Sequence, residues 1–231
     1  MVIKTKIIKV LKEPKSLLFK LKGLDANSYF HILSLKRFSK KIGTMIDVGA
    51  NKGHFIRALK KEFPNTEVYA FEPIKNFYDK LKKIPNVTAF NCGLWHAEKE
   101  AALHYNKKDP DASSYLTYSK NYDYNTEIEN VKTELKRFDS FGIDIKRPCF
   151  LKLDVEGAEY EVLKGFGEEL KKVDFILMER HLQSNFEEEK RFSEIFRLLE
   201  EMGFTGFLQQ NVNNQHGLPD QCDFFFFRFK S

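Results

Sequence analysis

The stretch MIDVGANKGHFIRALKKEF (45–63) decides the fold. MIDV (45–48) is an apolar run of strand length, and residues 52–63 bring apolar side chains back at helical spacing until Pro64 stops them. The unit repeats along the chain. EVYAF (67–71) predicts a strand, 74–83 a helix ended by Pro85, and VTAFN (87–91) a third strand. CFLKLDV (149–155) and DFILME (174–179) predict two more, with a helix between them over 158–165 that Gly165 closes. Strands of about five residues alternating with helices indicate βαβ units and a parallel sheet, hence an α/β fold. The chain then changes pattern. A helix over 187–202 is capped by Gly203, and GFTGFLQQ (203–210) and DFFFFRF (223–229) predict two strands that pair antiparallel and close a sheet edge. The run FFFF (224–227) reads as a strand covered on both faces.

The rest of the 231 residues bounds the function. Hydrophobic residues at 42% and charged residues at 31% exclude a disordered chain, a collagen and a disulfide scaffold. No apolar run is long enough to span a membrane, and the first residues lack the apolar core of a signal peptide. Cys92, Cys149 and Cys222 are odd in number and show no CxxC, which argues against zinc and for a reducing compartment, so a cytoplasmic location is expected. Residues 1–41 carry eleven Lys/Arg against Glu13 and Asp25, a balance of +9, whereas the remainder has a balance of −4. We therefore divide the chain into a basic helical extension, 1–43, and a main domain, 44–231. The extension is either a surface helix packed on the domain or a segment that contacts an anionic surface. The sequence does not specify an oligomeric state.

Residues 92–148 interrupt the alternation. Residues 94–105 predict an extra strand or hairpin, and 131–138 resume an extended pattern. Between them, 107–127 is polar and rich in Ser and Tyr, including Tyr115, Tyr118, Tyr122 and Tyr124. Loops of this length in compact domains serve as lids or binding loops, or stay unstructured.

Ligands of open parallel sheets sit beyond the carboxyl ends of the strands, so the residues there matter most. The first strand ends in Asp47, Gly49, Ala50, Asn51 and Gly53, small residues or residues that tolerate left-handed backbone. The second ends in Glu72-Pro73, 25 residues after Asp47, where a carboxylate can accept both hydroxyls of a ribose. The third ends in Asn91-Cys92, and the fourth in Asp154-Val-Glu156-Gly. Four polar strand ends converging on one crevice indicate a nucleoside-bearing ligand. The glycines are spaced GxxxG, without the third glycine of a dinucleotide fingerprint, and Asp47 would repel a pyrophosphate. The same carboxylate suits the cationic amino-acid part of S-adenosylmethionine.

MIDVGANKGHF, FEP, FLKLDVEGAEYEVLKG and FILMER, spread over about Thr44 to Arg180, resemble the FkbM-type methyltransferases, a branch of the class I S-adenosylmethionine-dependent enzymes. The resemblance implies a Rossmann-like, mostly parallel seven-stranded sheet with an antiparallel last strand and helices on both faces. It implies that Asp47 through Gly53 hold the methionine part and that Glu72, with Pro73, holds the ribose. It places Asn91 and Cys92 beside the adenine, and Asp154 and Glu156 toward the methyl and the acceptor. The commoner class I pattern has glycine where Asn51 stands, though asparagine is usual for the FkbM type. The reaction it implies is O-methylation, with a hydroxyl of a sugar, glycan precursor or small natural product as acceptor.

Three side chains are candidates for proton transfer: Asp154, Glu156 and His181. Glu156 and His181 each have a structural alternative. Glu156 would be favourable at the positive end of the following helix, as would Glu159 and Glu161, and His181 could be a structural histidine. Asp154 with Glu156 is also the kind of oxygen pair that binds Mg²⁺; the sequence leaves this open, and no metal ligand is assigned. Base methylation of nucleic acids uses an Asn/Asp-Pro-Pro-aromatic motif where this chain has DVEG, which argues against a nucleic-acid partner. A non-catalytic binding protein would have no need of acidic groups at four strand ends.

Overall fold

The computed structural model describes residues 26–120, 127–182, 184–215 and 218–228. Its centre is β1 (Thr44–Val48), every residue of which is buried because strands flank it on both sides and helices cover both faces. β1 pairs in parallel with β2 (Glu67–Phe71) and with β7 (Cys149–Leu153). Beyond β2 lies β3 (Val87–Phe90), and beyond β7 lies β8 (Phe175–His181), both parallel. The chain moves outward from β1 in one direction and returns to start again at β7, so the crevice between β1 and β7 is the topological switch point. Two long strands, β9 (Gly206–Gln215) and β10 (Leu218–Phe227), complete a seven-stranded sheet in the order β3-β2-β1-β7-β8-β10-β9. β10 is antiparallel to both neighbours, as expected of the last strand, but it lies inside the sheet and leaves β9 as the edge.

Each face of the sheet has its own core. On one, Ile32 and Leu35 of α1 (Ala26–Phe38) and Ile56 and Leu59 of α2 (His54–Glu62) meet Phe150, Phe225 and Phe227. On the other, Val162 and Phe166 of α4 (Glu159–Phe166) and Ile195 of α5 (Phe192–Glu201) meet Leu151, Phe224 and Phe226. A short helix, α3 (Lys75–Leu81), follows β2. Successive phenylalanines of β10 thus enter opposite cores, which is why four in a row are buried. The described part of the segment before residue 44 is α1 and the short non-helical stretch 39–43, and both share the first core directly; residues 1–25 lie outside the described residues.

The interruption folds as a second sheet. β5 (Lys99–Asn106) and β6 (Ile128–Lys136) pair antiparallel from Lys99↔Leu135 to Asn106↔Ile128, and a two-residue β4 (Gly93–Leu94) runs parallel to β6. The extra strand expected at 94–105 and the extended run at 131–138 are therefore partners. Residues 107–120 leave this hairpin as a strap. It is tied back by a single-residue bridge, His104↔Ser114, and reaches the loop after β8 by another, Tyr118↔Phe186.

Several boundaries differ from expectation. The helix expected over 187–202 is α5, which begins at Phe192, and the strands expected at 203–210 and 223–229 are β9, Gly206–Gln215, and β10, Leu218–Phe227. β8 runs to His181, so that histidine belongs to the strand rather than to the loop beyond it. Gly165 does not close α4. The helix passes through it, and Gly167, with φ 53°, ends it. Gly165 is required by packing: a Cβ there would stand 2.1 Å from the Trp95 carbonyl oxygen. Ala in a helix interior ordinarily gains about 1 kcal/mol over Gly. Gly165→Ala should instead lose roughly 1–3 kcal/mol through overpacking, measured by urea denaturation.

Candidate active site

The loops leaving β1, β2 and β3 are knitted by short polar contacts. Gly49, Asn51 and Gly53 all have positive φ, at 75°, 49° and 75°. Glycine is required at 49 because a Cβ would stand 1.9 Å from the Asp154 carbonyl oxygen of the neighbouring loop. The Asn51 backbone N–H donates to Glu72 Oε2 at 2.7 Å, and the Ile74 N–H donates to Glu72 Oε1 at 2.8 Å. Glu72, buried at the end of β2, therefore braces the loop after β1 as well as facing the crevice. The Asn91 side-chain amide donates to the backbone carbonyls of Glu72 and Pro73, both at 2.9 Å.

A cavity of about 610 Å³ opens above these loops, within the range of small-molecule sites. Gly49, Ala50, Asn51, Glu72, Pro73, Asp154 and Glu156 line it. Asp47, which is wholly buried in β1, does not, nor do Asn91 and Cys92. Asn91 spends its amide on the loop carbonyls, and Cys92 is turned into the core as the chain enters β4. Burial pushes the Cys92 thiol up to about 12, so it is an inert core residue. Gly53 supports the site from behind, where a Cβ would stand 2.6 Å from Ile84 and 2.9 Å from Leu81. His181 also stands outside the lining, with Nε2 3.8 Å from Glu156 Oε2.

The cavity is an acidic crevice with one buried lysine. Asp47 is wholly buried in β1, and neither carboxylate oxygen has a hydrogen-bond partner. Register places it opposite Lys152 of β7, whose ammonium lies 3.8 Å from Asp47 Oδ1 and donates to Asp154 Oδ2 at 2.8 Å. Oxygens of Asp154, Glu156 and Glu179 lie within 4.8 Å of one another. Burial raises Asp47 to about 6 and Glu72 to about 7. Burial first and Asp154 second raise Glu179 to about 8, and the same two causes raise Glu156 well above the usual carboxylate range. Lys152 keeps its proton: burial would lower its pKa, but Asp154 and Asp47 outweigh that and raise it. Lys152 and Glu179 carry no role in the sequence reading. A lysine inside a strand that is otherwise apolar was the available signal, because burial there requires carboxylate partners.

Glu156 is not a helix-dipole carboxylate. It precedes α4 with φ 50°, a left-handed conformation rare for a residue with a long side chain, and its carboxyl lines the cavity. Glu159 fits the structural role: it accepts the Gly157 N–H at 3.2 Å and the Arg180 guanidinium at 2.6 Å, both partners buried. From the strap, Tyr115 lines the cavity and its hydroxyl meets Thr133 Oγ1 at 2.8 Å. Tyr118 packs on Phe186 and donates to the Ala112 carbonyl, outside the lining. Tyr122 and Tyr124 lie outside the described residues.

The chain was compared with known proteins. The family model described as the methyltransferase FkbM domain matches residues 47–205. Methyltransferase 1 of Beauveria bassiana is 30% identical over 146 residues, covering 54% of this chain and 59% of that protein. Methyltransferase sdnD of Sordaria araneosa is 31% identical over 157 residues, covering 54% of this chain and 61% of that protein. The chain thus spans about 60% of the length of these relatives. A precorrin-6y C5,15-methyltransferase structure from Geobacter metallireducens superposes with a TM-score of 0.47 at 12% identity, covering 87% of each chain.

The buried acids give the protein a pH signature. Asp47 titrates near 3.8 when exposed and near 6 when folded, so the folded state holds a proton that the unfolded chain has released. Stability from this group is full below about pH 4 and is lost as pH rises through 6. Glu72 and Glu179 extend the decline toward pH 8. Asp47→Asn should therefore be more stable than wild type at pH 7.5 by on the order of 1–3 kcal/mol. That advantage should vanish at pH 4, as measured by urea unfolding at both pH values.

Proposed function

The chain belongs to the FkbM methyltransferase family, and on that premise we propose that it is an S-adenosylmethionine-dependent O-methyltransferase acting on a hydroxyl of a sugar, glycan precursor or small natural product. The observation that carries the donor assignment is Asp47, a fully buried carboxylate with no hydrogen bond, beneath a cavity whose acids outnumber its one lysine. Such a site favours a cationic ligand and disfavours a pyrophosphate. The left-handed loop and the close approach at Gly49 fit the residues of this chain to the donor. Gly49, Ala50 and Asn51 would hold its amino-acid part, with Asp47 and Gly53 behind them, and Glu72 its ribose.

S-adenosylmethionine supplies an electrophilic methyl on a cationic sulfur. The protein must place an acceptor oxygen in line with that methyl and take the hydroxyl proton. Glu156 is suited to the second task. It faces the cavity, is mostly buried, and lies among Asp154 and Glu179, which favour its protonated form when no other cation is near. A positive charge in the cavity shifts it toward the carboxylate, which then accepts the acceptor's proton. His181, behind Glu156, positions that carboxyl rather than meeting the substrate. Asp154, held by Lys152, orients the acceptor at the cavity edge. No metal is assigned a step.

Calorimetric titration of the purified chain with S-adenosylhomocysteine should show micromolar binding, with NAD giving none. Glu72→Ala should weaken that binding by roughly 1.5–3 kcal/mol; unchanged affinity would refute the ribose role. Glu156→Gln should keep donor affinity near wild type and lower turnover on a panel of hydroxylated sugars read by mass spectrometry. Full turnover by Glu156→Gln would remove it from proton transfer.

A further inference from the structure

Asn51 occupies a position whose backbone, with φ 49°, would suit glycine equally well. Its side chain does what glycine cannot. Asn51 Oδ1 accepts the Lys52 N–H at 2.6 Å, which fixes the amide plane, and Nδ2 donates to Asp111 Oδ1 at 2.7 Å. Asp111 lies 60 residues away, in the single turn Pro110–Ala112 that opens the strap. Pro110, Asp111, Ser113 and Tyr115 line the cavity, Asp111 where it meets the loop after β1. The strap has a second fastening: Ser114 Oγ donates to the carbonyl of Glu156 at 2.7 Å and accepts the Leu116 N–H at 3.0 Å. One wall of the cavity is thus pinned at one end to the proposed donor loop and at the other to the strained turn that carries Glu156.

We propose that Asn51 is a positioning residue that ties the donor loop to the acceptor wall through Asp111, so that filling the donor site orders the wall against which the acceptor is held. The inference rests on the donor assignment above. It also accounts for asparagine at a place where the backbone alone would accept glycine. The coupling is reciprocal: a strap held in place favours the donor by the same factor by which the donor favours the strap.

Hydrogen–deuterium exchange of the full chain, with and without saturating S-adenosylhomocysteine, tests it. In wild type, the ligand should slow exchange in residues 110–116 as well as in 47–53. Asn51→Gly preserves the backbone conformation and removes the amide, and Asp111→Ala removes the acceptor. In both, strap exchange without ligand should rise about tenfold, and ligand protection should be confined to the loops after β1 and β2. Asn51→Asp should behave like these variants, because two carboxylates would then face each other. The double variant Asn51→Asp/Asp111→Asn should restore the pin with its polarity reversed, a rescue that a merely structural role for Asn51 would not produce. Ligand protection of the strap at wild-type size in Asn51→Gly and Asp111→Ala would overturn the coupling. Failure of wild type to bind S-adenosylhomocysteine by calorimetry would sink the donor assignment separately. In that case equal strap exchange in ligand-free wild type and Asn51→Gly would overturn the pin itself.

Discussion

Asp47 is buried in the central strand with no hydrogen bond to either oxygen, and much of the site's arrangement answers to that one carboxylate. A buried charge without a partner is expensive, and the register of β1 against β7 sets Lys152 opposite it. Lys152 in turn needs more than a carboxylate 3.8 Å away, and it finds Asp154 two residues on, just past the end of its own strand. Glu179 lies on the next strand and brings a further acid to the same edge. The result is a row of acids across neighbouring strand ends that one lysine incompletely neutralises. The fold tolerates this by holding protons, as the raised values at Asp47, Glu72 and Glu179 record.

Backbone conformation makes a second contribution. Gly49, Asn51, Gly53 and Glu156 all take positive φ within two loops that face each other across the switch point. Three are residues that accept this conformation readily; Glu156 is not, and it persists there because neighbours fix it. Ser114 holds its carbonyl, Glu159 accepts the N–H of Gly157 that follows, and Phe186 and Leu116 stand where any Cβ on Gly157 would intrude. Strain of this kind concentrates at functional sites, and here it falls on the residue suited to proton transfer.

The parallel sheet was legible in the sequence because each βα unit is local: apolar run, small-residue loop and helical period lie within about twenty residues. The Phe run at 224–227 was legible for the same reason, since four consecutive phenylalanines fit only a strand covered on both faces. What depends on long-range register was not legible. Lys152 acquires meaning only when β7 is laid beside β1, about a hundred residues earlier in the chain. Asn91 and Cys92 were expected at the cavity by analogy with the other strand ends, but β4 begins at once and draws the chain into the second sheet. Both long strands of that sheet were legible as extended stretches, but not their pairing, because a polar stretch without period separates them. Gly165 reads as a cap because glycine usually is one; its true constraint is the carbonyl of Trp95, from another part of the chain.

The place of β10 between β8 and β9 has a consequence for the order of assembly. β9 precedes β10 in the chain yet touches the sheet only through it, so β9 has no seat until its successor has formed. The two long strands can pair with each other locally and quickly, as hairpins do, whereas the five parallel strands must wait for crossovers that close loops of many residues. Folding therefore joins two separately formed pieces along one seam, β10 against β8. Before that seam closes, Phe224 to Phe227 and the free edge of β8 are exposed together, so the half-assembled chain is the species most prone to associate with its copies.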